Sequence, residues 1–302
     1  MTSAGIRAYV HDDNANRTQI TETPSGGPTT TVATDTYDRT AANSPGLDEL
    51  TTMTVDGKTT TFDDNGDGRV TTQAGSVGRT MSWDGHDRWT GGTFGTTTVV
   101  NTLDPAGKLQ QRRANGNDAT TTRHSYAGGS PVFVLNDDGT TITTTNIDGP
   151  VGAVATYHGP PTAGSVVTFP YFNGHGDSTA TADSTGARTG LVKSYDPFGN
   201  QDVASYTNGT DEAWTGAGHK KTDISANLVH MGAWPYDPTR GRFLSVDPID
   251  GGNPNNYEYA SQDPVDGYDL TGECDFYTCM GNGVKKAGKK AGKWAWKNQE
   301  KS

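Results

Sequence analysis

The sequence predicts an all-β protein built from stacked hairpins, on three observations. Its 302 residues include 40 glycines and many threonines, with hydrophobic residues at only 31%. Threonine, branched at Cβ, suits strands better than helices. A large apolar residue leads into a Gly-containing turn, usually through Asp, at Phe62, Trp83, Leu103, Tyr126 and Ile147, in steps of 21, 20, 23 and 21 residues. Alternations rich in Thr and Val, such as 96–100 and 140–145, lie between these turns and read as strands. A mean hydropathy of −0.71 leaves disorder as the alternative. The regular spacing of aromatic and aliphatic positions argues for a fold.

Taken in order, residues 1–50 read as a poorly defined, loop-rich start, with loops at 24–31 and 41–46 and a weak repeat copy at Tyr37-Asp38. Residues 51–227 read as degenerate repeats. In each unit an apolar residue ends a strand, Asp caps the turn with its side chain, Gly takes positive φ, and a second strand returns. One such hairpin cannot bury its inner face alone, and stacking supplies the cover. Two later copies, Tyr195-Asp196 and Tyr236-Asp237, stand 41 residues apart, about two units. Residues 228–273 form a denser block of Asp-Pro, Tyr and Gly positions, and 274–302 a basic tail of different character.

Charge divides the same way. The tail carries seven Lys against Asp275 and Glu300, or +5, leaving 17 basic against 33 acidic residues elsewhere, or −16, within a total of −11. An acidic body argues against nucleic-acid binding by the body. In the tail, Val284, Ala287, Ala291 and Ala295 make a small-residue stripe at helical spacing, and Trp294 and Trp296 could anchor it to an anionic membrane. Two interior glycines make such a helix marginal by itself. Cys274 and Cys279 are too few for a disulfide framework or a zinc site. The N-terminal stretch has no signal-peptide pattern, and no apolar run reaches membrane-spanning length.

Two landmarks carry a family resemblance. The stretch 170–200, PYFNGHGDSTATADSTGARTGLVKSYDPFGN, holds His175, Asp183, Gly186, Tyr195, Pro197 and Gly199. The stretch 228–272 holds Tyr236-Asp237-Pro238, Gly241-Arg242-Phe243, Asp247-Pro248, Tyr257, Tyr259, Asp263-Pro264, Asp269 and Gly272. In this order they resemble the closing part of RHS and teneurin-like YD-repeat proteins, and 228–273 resembles the RHS repeat-associated core. The resemblance implies a long β-sheet spiralled into a hollow shell, here as a partial β-cocoon with a short basic, helix-forming tail. It further implies a secreted or cell-surface protein that houses or presents a C-terminal effector in bacterial competition. The partners would be its own C-terminal segment or the remaining shell.

The resemblance also implies self-cleavage of aspartyl-protease type, a single turnover at the core boundary. Two carboxylates sharing a proton would supply base and acid. By position these are Asp247 and Asp269, with Arg242 beside them and the cut after Glu273. The segment Asp269-Leu270-Thr271-Gly272-Glu273 departs from the family's Asp-Pro-x-Gly-Leu ending. Turn capping is the structural alternative for both acids. At the level of function, the alternatives are an adhesion module that binds a cell-surface glycan or protein, and a remnant without activity of its own.

Other chemistry is weaker. Asp63, Asn65, Asp67 and Gly68 fit the start of a calcium loop, but Ala74 stands where a bidentate Glu is needed, so a turn is expected and no metal or cofactor. His86, His124, His158, His175, His219 and His230 show no ligand spacing and no nucleophile elbow accompanies them, so turn or surface roles are expected.

Overall fold

The computed structural model describes residues 5–37, 48–75, 78–127, 130–149, 152–201, 210–232, 234–246, 255–265, 267 and 269. Seventeen strands form a wall. They are β1 (Ile6–His11), β2 (Arg17–Thr23), β3 (Thr30–Tyr37), β4 (Leu50–Val55), β5 (Lys58–Asp64), β6 (Val70–Ala74), β7 (Arg79–Trp83), β8 (Trp89–Phe94) and β9 (Thr97–Leu103). The wall continues with β10 (Leu109–Ala114), β11 (Asn117–Ala127), β12 (Ser130–Leu135), β13 (Ile142–Gly149), β14 (Gly152–His158), β15 (Val166–Phe172), β16 (Ser178–Asp183) and β17 (Arg188–Thr189). Each strand pairs antiparallel with the next in sequence, from β1 to β17, as one meander. Alternation sorts the faces: in β9, Val99 and Asn101 are buried while Val100 between them is exposed.

The turns follow one chemical plan. At Asp84 the side-chain Oδ1 accepts the backbone N–H groups of His86 and Arg88, and its own N–H donates to the Arg88 carbonyl. Asp12, Asn65, Asn173, Asp183 and Asp196 accept the same pair of N–H groups, two and four residues on. The calcium-like stretch is therefore a hairpin turn capped by Asn65, not a turn led by Phe62-Asp63, which stay in β5.

The aromatic residue before the cap does more than fill space. Tyr126 donates its hydroxyl to the Leu109 carbonyl at 2.9 Å, Tyr195 to that of Ser178 at 3.0 Å, and Tyr37 to that of Arg17 at 2.7 Å. Trp83 does the same to Val70 through Nε1, at 2.8 Å. Each unit is thus tied to backbone 13–20 residues upstream. A hydrophobic ring with a polar tip suits a site with one wet or polar end.

A second, five-stranded antiparallel sheet fills the interior: β18 (Thr210–Glu212), β19 (Lys221–Asp223), β20 (Leu228–Met231), β21 (Trp234–Asp237) and β22 (Arg242–Phe243). Nearly every side chain of β20 to β22 is buried. Trp214, Tyr236, Phe243 and Tyr259 pack ring on ring at centroid distances of 4.9–6.0 Å. Leu228 and Leu244 join Val70, Met81, Trp89, Phe94 and Val99 of the wall in a common core. Each such burial contributes roughly 1.5–3 kcal/mol. This sheet is the plug of the shell.

The structure differs from two sequence expectations. Within 1–50 the described residues hold three ordered strands, built largely of β-branched residues that suit strands; the chain between β2 and β3, 24–29, is a loop as expected, and the expected loop 41–46 lies outside the described residues. The boundary at 228 falls inside the plug sheet, between its paired strands β19 and β20. β1 pairs with β2, and its Ile6 is 70% exposed. The tail, residues 274–302, lies outside the described residues, as do its cysteines. The helical content among the described residues is two single 3-10 turns.

Candidate functional site

The site is the seam between wall and plug, and buried arginines hold it. Arg112 of β10 meets Asp223 of β19, with both side chains at most 2% exposed. Arg17 of β2 pairs with Asp35 at 3.0 Å and reaches the Thr239 carbonyl at 2.9 Å. Arg240 lies 3.8 Å over the Phe62 ring and hydrogen-bonds Gln73. Planar guanidinium, always charged and able to stack, suits these places better than ammonium.

Arg242, expected beside the cleaving acids, is part of this seam. Its Nη2 donates to the Asp48 carbonyl at 2.8 Å, and its guanidinium lies between the Tyr37 and Tyr257 rings, at 4.9 and 4.6 Å. Tyr257 in turn donates to the Gly68 carbonyl. Asp269 is 1% exposed. One cation whose charge acts with it is Lys220, whose own pKa is lowered by burial and partly restored by Asp269. Asp247 and Glu273 lie outside the described residues.

A cleft of about 690 Å³ opens in the seam where β13 to β15 and the turn 173–176 meet the turn 215–219. It brings together His175 and His219, two of the six histidines expected in turn or surface roles. His175 caps onto Asp177 through Nδ1 at 2.8 Å and stacks on Trp214. Asp177 also accepts the Thr215 N–H and an Asn173 amide N–H. Burial pushes the Asp177 carboxyl up, and these hydrogen bonds more than reverse it, leaving it below the usual range. His219 sits between Glu212 Oε1, 3.0 Å from Nδ1, and Asp148 Oδ1, 2.6 Å from Nε2. Glu212 also holds Lys221 at 2.8 Å. Burial would raise the Glu212 carboxyl, but Lys221 and His219 bring it down to about 2.

His124 is buried and His230 half-buried, and desolvation lowers them to about 3 and about 4. His230 packs against Trp89 at 5.0 Å. No local spacing announces these roles; the one sequence signal is the Asn173-x-His175-x-Asp177 turn inside the first landmark. Among the described residues, no group of three His, Cys, Asp or Glu is arranged to hold a metal.

No protein-family model matches the chain. Among curated proteins it is similar to the tRNA3(Ser)-specific nuclease WapA of Bacillus spizizenii, 28% identical over 278 residues, which covers 87% of this chain and 11% of that protein. It is also similar to the tRNA nuclease WapA of Bacillus subtilis, 34% identical over 110 residues, or 34% of this chain and 5% of that one. The chain therefore spans about a tenth or less of the length of these relatives. Among solved structures, TcdB2-TccC3-TEV aligns over 89% of this chain and 17% of that chain, at a TM-score of 0.49 and 16% identity. The Photorhabdus luminescens Tc holotoxin pore aligns over 86% and 16%, at 0.46 and 17% identity. With its two landmarks, its stacked-hairpin wall and its likeness to the WapA nucleases, the chain resembles the RHS-type, YD-repeat proteins.

Proposed function

We propose that this chain is the structural housing of an effector delivered in bacterial competition, secreted or displayed at the cell surface, with self-cleavage at the core boundary as its only reaction. The observation that supports it most is the buried position of Asp269, four residues before the expected cut after Glu273. An enclosed carboxyl is suited to proton sharing with a second acid, and Asp247 takes that role. The charge of Lys220 acts with that of Asp269, which supports a role in tuning the pair, and Arg242 acts indirectly by holding the seam. The enclosed partner is the chain's own C-terminal segment.

The test is the intact mass of freshly purified protein beside Asp247→Asn and Asp269→Asn. The proposal expects the wild type to lose a C-terminal piece near Glu273 and both variants to keep it. Full mass in all three removes the release reaction and leaves a closed shell that does not process itself.

A further inference from the structure

The delivery reading makes no use of His219, yet this residue bridges the two bodies of the fold. Its Nε2 contacts Asp148 on β13 of the wall, and its Nδ1 contacts Glu212 on β18 of the plug. Carboxylates only accept hydrogen bonds, and a neutral imidazole donates from one nitrogen alone. Both contacts are satisfied together only by the doubly protonated ring. We propose that His219 is a protonation-controlled latch, which ties plug to wall while its ring carries both protons and lets go of one side when it loses one.

The surroundings fit that role. Burial draws the His219 pKa down, but bonding and charge from Glu212 and then Asp148 raise it above the ordinary 6.5. Lys221 on β19 pairs with the same Glu212, and His124 on β11 feels both of those groups as a buried, neutral ring. Across the cleft stand His175 and Asp177, bonded to each other. From β14 the neighbour is the uncharged Gly152, whose backbone abuts Ala217.

The backbone is held in tension. Thr215 and His219, at φ of 53° and 56°, bracket the 3-10 turn Gly216–Gly218 in left-handed conformation. That conformation is unfavourable for a β-branched residue. Two backbone bonds, Ala217 N–H to Gly176 and Ser178 N–H to Ala213, join the turn to the wall beside the latch. With these bonds holding 215–217, release is local and loosens 218–221 beside the cleft. The sign follows from the raised pKa: the latch is fully closed below the ordinary value and is lost as pH rises through the raised one.

Two measurements test this. Ring nitrogen shifts of His219 in the unmodified protein, read by NMR at neutral pH, should be those of an imidazolium. A neutral tautomer there overturns the proposal. Trypsin should nick after Lys220 or Lys221 about tenfold faster at alkaline than at neutral pH, once corrected with an unstructured control peptide. His219→Gln should nick at the faster rate at both pH values. Nicking that is independent of pH in the wild type, or that rises with pH in His219→Gln as well, refutes the latch.

Discussion

Arg112 of the wall and Asp223 of the plug meet in a two-pronged buried pair, Nε to Oδ2 at 2.5 Å and Nη2 to Oδ1 at 3.0 Å. They are 111 residues apart in sequence. Asp223 also accepts the Ala226 N–H, so the pair pins a plug turn as well as the seam. Removing either partner strands a charge in the interior. Asp223→Asn or Arg112→Met should therefore cost about 3–5 kcal/mol, measured by urea unfolding. A loss below about 1 kcal/mol would mean that water reaches the pair.

The hydroxyl ties between repeats predict a second effect. Tyr236 is fully buried and donates to the Phe198 carbonyl at 2.9 Å. Tyr236→Phe keeps the ring stack but leaves that carbonyl without its donor, costing about 1–3 kcal/mol. Tyr195→Phe, half-buried, should cost about 1 kcal/mol. Equal stability of both variants and wild type by thermal melting would reduce the aromatic position to bulk alone.

Gly152 gives a test by close approach. It has φ of +113°, and a Cβ there would lie 2.0 Å from the Ala217 carbonyl oxygen. Gly152→Ala must push plug from wall, so its loss of stability should clearly exceed that of Gly57→Ala. Gly57 also has positive φ, +74°, but open space around it. Gly57→Ala should cost only about 1 kcal/mol, the backbone penalty alone. Similar melting temperatures for the two variants would argue against the tight seam.

Acid sensitivity follows from His124 and His230. Burial holds them neutral, at about 3 and about 4 against an ordinary 6.5. The unfolded chain then binds more protons than the folded one between pH 6.5 and those lower values. Their contribution to stability is complete above pH 6.5 and declines as pH falls through that window. His124→Gln should flatten the decline in a pH series of urea midpoints. An unchanged slope would show that this ring is already protonated when folded.

Much of the wall was legible in the sequence, and the seam was not. Turns such as Asp84, Asp104, Asp183 and Asp196 announce themselves because cap, Gly and strand lie within a few residues. At Phe62 the same reasoning slipped by two positions, since Asp63 and Asn65 are equally good caps and only the ladder chooses Asn65. β2 and β3 were hidden because their mostly polar, Thr-rich sequences show little apolar face, whereas the alternation of Ile6, Ala8 and Val10 in β1 was there to be read. The seam joins distant residues, such as Asn255 to the Asn14 carbonyl or Arg242 to that of Asp48, and no local pattern encodes such pairs. The contact of His219 with Asp148 is of that second kind, whereas His175 bonds Asp177 within its own turn. The self-cleavage acids rest on family resemblance, and of these the structure describes Asp269.

The central claim is that the sheet from β18 to β22 is a plug enclosed by the wall. Native-state hydrogen exchange tests it most directly. The account predicts that amides of β20 and β21, around Val229 and Tyr236, exchange slowest and only through global unfolding, while the edge strand β1 exchanges early. Plug amides that exchange as quickly as those of β1 under native conditions would contradict it.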